Sequence, residues 1–164
     1  MPSLSESGAG LSGASRLFTD FLHDFEKVRA YYHFSGLESV SYRDSAAAVR
    51  YPDEHRRRLV EALAEQNGES PALDLLARPG TFVVATGQQV GLLSGPAYTV
   101  YKALTAARLA RELTERGLPA VPVFWLATED HDLEEVNHCW VFGQDHLPLR
   151  IEARCGGAPG QPVG

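Results

Sequence analysis

The sequence predicts an α/β fold: a parallel sheet grown from a βαβ unit and preceded by helices. Three observations carry this. Residues 81–85 (TFVVA) and 120–127 (AVPVFWLA) are short, continuous, β-rich apolar runs, the pattern of strands covered on both faces. Residues 96–116 between them carry apolar side chains at helical spacing, so the order is strand, helix, strand, with the right-handed crossover such units adopt. Ahead of the first run, residues 15–66 read as helices.

Leu17, Phe18, Phe21, Leu22, Phe25 and Val28 recur at three- and four-residue intervals and predict one core-facing helix over 15–32. A second helix is predicted over 42–49. It stops before Tyr51-Pro52, because the residue ahead of proline disfavours helical geometry. A third runs from Pro52 or Asp53 to Gln66, with Asp53 suited to cap it and Gly68 to end it; Arg56, Arg57 and Arg58 read as its solvated face. A short helical segment spans 71–77.

After the first strand, residues 86–95 (TGQQVGLLSG) read as a glycine-rich turn, and Pro96 takes the first position of the long helix. Ala97, Val100, Tyr101, Leu104, Ala107, Leu109, Ala110 and Leu113 give that helix the wide apolar face of one laid on a sheet. Glu112 and Arg116 form an i,i+4 pair in it, and Gly117 ends it. Residues 138–142 and 147–153 read as two more strands around a turn at 143–145. Trp125 and Trp140 are assigned to the core, and Cys139 to a buried apolar position rather than a nucleophile. The chain thus divides into a disordered arm (1–14), a helical segment (15–78), an α/β core (79–155) and a Gly/Pro-rich end (156–164), where it is expected to stop inside a larger protein.

Composition removes several function classes. Hydrophobic residues make up 44% and charged residues 22%, ordinary globular usage that excludes a disordered or collagen-like chain. No apolar run approaches the roughly 20 residues a membrane span needs, so no membrane partner is expected. With 15 basic against 21 acidic residues the net charge is −6, which argues against nucleic-acid binding. Cys139 and Cys155 offer neither a disulfide framework nor a C-x-x-C site, and the polar N-terminus has no secretory character; both point to the cytoplasm.

In an open α/β sheet, ligands bind beyond the carboxyl ends of the strands. Two polar segments fall there and, if the strands are parallel, on one rim. The first is Thr86-Gly87-Gln88-Gln89 with Gly91, Ser94, Gly95 and Pro96. Its glycines let backbone approach a ligand, and the following helix turns its positive end toward an anion. Tyr98 and Lys102 lie one turn apart on that helix, so an ammonium can reach the same place. The spacing is neither Walker A nor G-x-G-x-x-G. The second segment is Thr128 to Asp132 (TEDHD). Glu129, Asp130, Asp132, Glu134 and Glu135 crowd around His131, with Asn137 and His138 next. Like charges this close call for a cationic partner, and His131 suits a general base toward an amine. Asp132 also suits the cap of a short helix. No metal is expected, since H-E-x-x-H is absent and chain neighbours rarely ligate one ion together.

ATGQQVGLLSGPAYTVYKALTAARLA (85–110), VPVFWLATEDHDLEEVNH (121–138) and LFTDFLHDFEKVRAYY (17–32) together resemble the bacillithiol biosynthesis cysteine-adding enzymes, the cysteine ligases. The resemblance implies a Rossmann-like core over 79–155. It also implies a longer protein with a coiled coil, and a homodimer through that coiled coil. It implies amide formation between L-cysteine and the amine of glucosaminyl malate, with ATP suggested by the need to activate the acyl group. Carried over by motif, Thr86, Gly87, Gln88, Gln89, Gly95, Pro96, Tyr98 and Lys102 line the substrate or phosphate side. Glu129, Asp130, His131, Asp132, Asn137 and His138 face the amine. His131 is then the base, Asp130 or Asp132 orients it, and Lys102 neutralises developing negative charge. Two other classes stay open: a nucleotidyl-transferring α/β enzyme that holds a nucleotide at the glycine-rich loop, and a non-catalytic binding domain.

Overall fold

The computed structural model describes residues 14–34, 39–128, 132–154 and 156. All but residue 14 of the expected arm (1–14), all but residue 156 of the expected end (156–164), and Cys155 lie outside them. The chain divides into two compact units, Met1–Arg50 and Tyr51–Gly164.

In the first unit the predicted 15–32 helix is broken. Helix α1 covers Arg16–His23, opened by Ser15, whose hydroxyl accepts from the Phe18 N–H at 3.2 Å. It stops at Asp24 (φ −147°, ψ 61°) and gives way to two 3₁₀ turns, Phe25–Lys27 and Arg29–Tyr31. Ring packing explains the break. Tyr32 lies 5.0 Å from Phe21 and 5.7 Å from Phe25 between ring centroids. A straight helix would hold residues 21 and 32 about 16 Å apart along its axis. Folding the chain back gathers the rings into one cluster, and aromatic pairs add roughly 0.5–1.5 kcal/mol beyond area burial. Helix α2 then spans Ser39–Ala48.

The second unit begins with helix α3 (Asp53–Asn67) and helix α4 (Pro71–Leu76). Gly68 ends α3 at φ 74°, as expected, but Pro52 rather than Asp53 holds the N-cap position, and Asp53 instead adds negative charge to the first turn. Of the three arginines assigned to solvent, Arg57 and Arg58 are exposed, whereas Arg56 is buried. Its guanidinium donates to the Leu76 and Thr81 carbonyls, each at 2.9 Å, and so ties α3 to the end of α4 and the start of the sheet.

Strand β1 (Phe82–Gln89) and strand β2 (Ala120–Ala127) pair in parallel, from Phe82 opposite Ala120 to Gln89 opposite Ala127. The first strand therefore runs past Ala85, and Thr86 to Gln89 are strand rather than turn. Helix α5 (Ala97–Glu115) joins the two and packs on both. Pro96 is its N-cap, one position earlier than predicted. Ala106, Ala110 and Leu113 form the buried stripe, while Tyr101 and Leu104, assigned to that face, are exposed. Small residues win the contact because they let helix and strands approach closely. Thr114 closes the crossover: its hydroxyl donates to Ala110 O at 2.9 Å and accepts from the Ala120 N–H at 3.0 Å. Glu112 pairs with Arg108 at 2.7 Å, one turn before it, while Arg116, the partner predicted for it, lies one turn after.

Helix α6 (Leu133–Val136) leads into strand β3 (His138–Phe142), which pairs antiparallel with strand β4 (Pro148–Glu152). This hairpin is a sheet separate from β1–β2. Cys139 is buried in it, but Trp125 and Trp140, assigned to the core, are 63% and 62% exposed. Two-stranded sheets offer too little surface to bury both indoles. Among the described residues no helix is long and apolar enough to cross a membrane.

Candidate functional site

The carboxyl end of β1, the start of α5 and the α6–β3 segment enclose a cavity of about 300 Å³. One wall is Gln88, Gln89, Gly91, Gly95, Pro96 and Tyr98; the other carries Glu135, His138, Cys139 and Trp140. The first polar segment thus meets the chain just beyond the second one. This follows from parallel pairing, which sends the exits of β1 and β2 to the same rim.

Gln88, Tyr98 and Lys102 form a connected set. Lys102 Nζ donates to Gln88 Oε1 at 2.8 Å, and Gln88 Nε2 donates to the Tyr98 hydroxyl at 3.0 Å. Lys102 Nζ also sits 5.5 Å from the Tyr98 ring centroid, a cation–π distance. Helical spacing creates the set: Tyr98 and Lys102, four apart, project from one face of α5 over the end of β1.

Other predicted residues carry structural work, whether or not they also line the cavity. Gly87 is a packing glycine: a Cβ there would lie 2.7 Å from Trp125 O and 3.0 Å from Trp125 Cβ. Thr86 is a half-buried strand residue opposite Phe124. Gly91 and Gly95 close a tight turn, in which Gly95 N donates to Leu92 O at 3.0 Å and a Cβ on Gly91 would lie 3.0 Å from Gly95 Cα. Leu93, Ser94 and Gly95 all have positive φ (53°, 75° and 67°). For the two non-glycine residues that conformation costs on the order of 1 kcal/mol or more each, so the turn stores backbone strain. Ser94 lines a neighbouring hollow of about 370 Å³ instead, with Thr99 and Phe124.

In the acidic segment, Glu129, Asp130 and His131 lie outside the described residues. Asp132 is the exposed N-cap of α6; its backbone carbonyl, not its carboxylate, takes the Glu135 N–H at 2.9 Å. Asn137 turns toward the hairpin, with Nδ2 3.4 Å from Glu152 Oε1. His138 Nδ1 lies 3.0 Å from the Glu134 carbonyl and 3.3 Å from Asn137 Oδ1. A carbonyl only accepts, so Nδ1 carries a proton, and in the neutral form of such a ring Nε2 is the acceptor.

Glu135, Cys139 and Trp140 are wall residues that sequence reasoning did not assign to the site. The place of Glu135 in the acidic stretch leading to His138 was the available signal for the first.

The cavity joins a cation-anchored amide and phenol on one side to an acidic and a basic side chain on the other. That is a small polar site, suited to a ligand bearing both charges. The family description "Bacillithiol biosynthesis BshC, N-terminal Rossmann-like domain" matches residues 6–164. Curated relatives bear the name "Putative cysteine ligase BshC". The one from Solibacter usitatus is 51% identical over 154 residues, covering 94% of this chain and 29% of the relative. The one from Koribacter versatilis is 39% identical over 161 residues, covering 91% and 29%. The one from Symbiobacterium thermophilum is 45% identical over 137 residues, covering 81% and 23%. The chain therefore spans under a third of the length of these relatives. With the match running from residue 6 to residue 164, this chain belongs to the BshC family of bacillithiol biosynthesis, as its N-terminal Rossmann-like domain.

Proposed function

We propose that this domain supplies part of the active site of a cysteine ligase, one that joins the carboxyl of L-cysteine to the amine of glucosaminyl malate in the cytoplasm. The observation that carries this reading is the cavity that brings Gln88 and Tyr98 opposite Glu135 and His138, with Lys102 anchoring the first pair. A zwitterionic amino acid needs donors for its carboxylate and acceptors for its ammonium, and the two walls offer them separately.

Amide formation needs an activated carboxyl, and ATP is the proposed source: it supplies the phosphoryl group with which the displaced carboxyl oxygen departs. The first N–H groups of α5 lack helical acceptors and suit anionic oxygen there. As the new carbon–nitrogen bond forms, the amine gives up a proton. His131 is the proposed base, oriented by Asp130 or Asp132. His138, with its acceptor nitrogen and its place in the wall, is a second residue suited to that proton. Lys102 offsets negative charge that grows on the acyl oxygen. Thr86, Gln89, Glu129 and Asn137 are proposed as supporting polar residues around the substrates, and a homodimer through a coiled coil completes the expected assembly.

The test is turnover of L-cysteine and glucosaminyl malate with ATP, using the protein as the cell makes it. His131→Ala and His138→Ala are compared with the unaltered protein. Loss of amide product in His131→Ala supports the assignment of the base. Normal turnover in both variants removes acid–base catalysis from this rim.

A further inference from the structure

We infer that the Tyr98 hydroxyl is a hydrogen-bond donor for a ligand carboxylate, and that Gln88 is the positioning residue that sets this sense of donation. The identity of the ligand rests on the ligase reading; the direction of donation rests on geometry alone.

A lysine ammonium has three donors and no acceptor. Its 2.8 Å contact with Gln88 must therefore be to the carbonyl oxygen, Oε1. That fixes the amide: Nε2 faces Tyr98, 3.0 Å away. An amide nitrogen only donates, so the phenol oxygen accepts, and the hydroxyl proton points away from Gln88. Among the described residues no acceptor takes that proton, and Tyr98 lines the cavity. The chain Lys102 to Gln88 to Tyr98 runs donor to acceptor throughout, and each bond polarises the next. The ammonium near the ring adds its field in the same sense, drawing electron density from the phenol. The proton that emerges is a strengthened donor facing a polar cavity, and an anionic oxygen is its best partner. Two substrates of the proposed reaction carry a carboxylate, the amino acid and the malyl group, so both are tested.

Binding of L-cysteine, L-malate and cysteamine (an amine with no carboxylate) is measured by calorimetry in the protein as the cell makes it. The variants are Tyr98→Phe, Gln88→Glu and the double substitution. One hydrogen bond to a charged group is worth roughly a tenfold to hundredfold change in affinity. Tyr98→Phe should weaken the carboxylate ligand by that factor and leave cysteamine unchanged. Gln88→Glu keeps the size of the side chain but offers two acceptors, one for Lys102 and one for the Tyr98 proton. It should weaken the same ligand as much as Tyr98→Phe does, and adding Tyr98→Phe to it should cost nothing further. Losses that add, equal losses for cysteamine, or unchanged affinity in Tyr98→Phe overturn the inference. Tyr98 dependence with L-malate but no binding of L-cysteine supports the donor while removing cysteine from this cavity. Amide turnover that is unaffected by Tyr98→Phe keeps the ligase and overturns the donor.

Discussion

Gly87 stands beside Trp125 in the parallel β1–β2 register with no room for a side chain: a methyl group there would sit 2.7 Å from the Trp125 carbonyl oxygen. The obstacle is backbone, which cannot swing aside as a side-chain tip can. Gly87→Ala should therefore spread the strands at the rim and destabilise the second unit by about 1–3 kcal/mol, the usual range for overpacking. Thermal unfolding followed by circular dichroism checks this; an unchanged midpoint would contradict the close approach.

Arg56→Met should cost about 2–4 kcal/mol. It leaves the Leu76 and Thr81 carbonyls buried without their donor, and an unsatisfied buried polar group costs roughly 1–3 kcal/mol. Arg57→Met, one position along and exposed, should stay within about 0.5 kcal/mol. Urea midpoints for the two variants give the comparison directly.

Lys102→Met should lower kcat/KM for the proposed amide formation by about tenfold to a hundredfold, the scale of one charge-assisted hydrogen bond. Without the ammonium, the Gln88 amide is free to flip, and Tyr98 loses its fixed donor sense. Steady-state kinetics of that proposed reaction, with the proposed acyl activator ATP at saturation, would check it. Lys102→Arg should restore only part of the rate, because a planar guanidinium meets Gln88 with a different reach.

Acidification should loosen helix α5 at one identifiable place. The Arg108 guanidinium, through its hydrogen bond and its charge, holds the Glu112 carboxyl below its ordinary value. The folded state thus binds a proton at Glu112 less readily than the unfolded chain does. The stabilisation is complete above the ordinary carboxylate value and is lost as pH falls through the lowered one. Glu112→Gln should remove that part of the acid sensitivity. Because the pair is exposed, the effect should be small and should shrink further with added salt. Melting curves at neutral and acid pH, at two salt concentrations, test all three statements.

Much of the second unit was legible because its signals are local. Two continuous apolar runs around one long helical stripe leave few arrangements other than parallel strands with a crossover. The Tyr98–Lys102 spacing and the position of Gln88 at a strand end likewise put three site residues within reach of one another. What the sequence hid depends on distant partners. Arg56 reads as one of three like arginines, and only the carbonyls of Leu76 and Thr81 distinguish it from Arg57. The stripe from Leu17 to Val28 looks continuous until Tyr32 folds onto Phe21 and Phe25. Gly87, Gly91 and Gly95 read alike as glycines that let backbone approach a ligand; Gly91 and Gly95 line the cavity, whereas the strand approach to Trp125 that Gly87 permits could be seen only in the paired sheet.

Trp140 sits in the cavity wall, and the chain holds just one other indole, Trp125. Nature has thereby left a fluorescent reporter at the mouth of the pocket. Substituting Trp125→Phe would leave it the one indole of these 164 residues, so ligand entry into this domain could be followed in real time by the change in intrinsic emission, with no label attached and no turnover required.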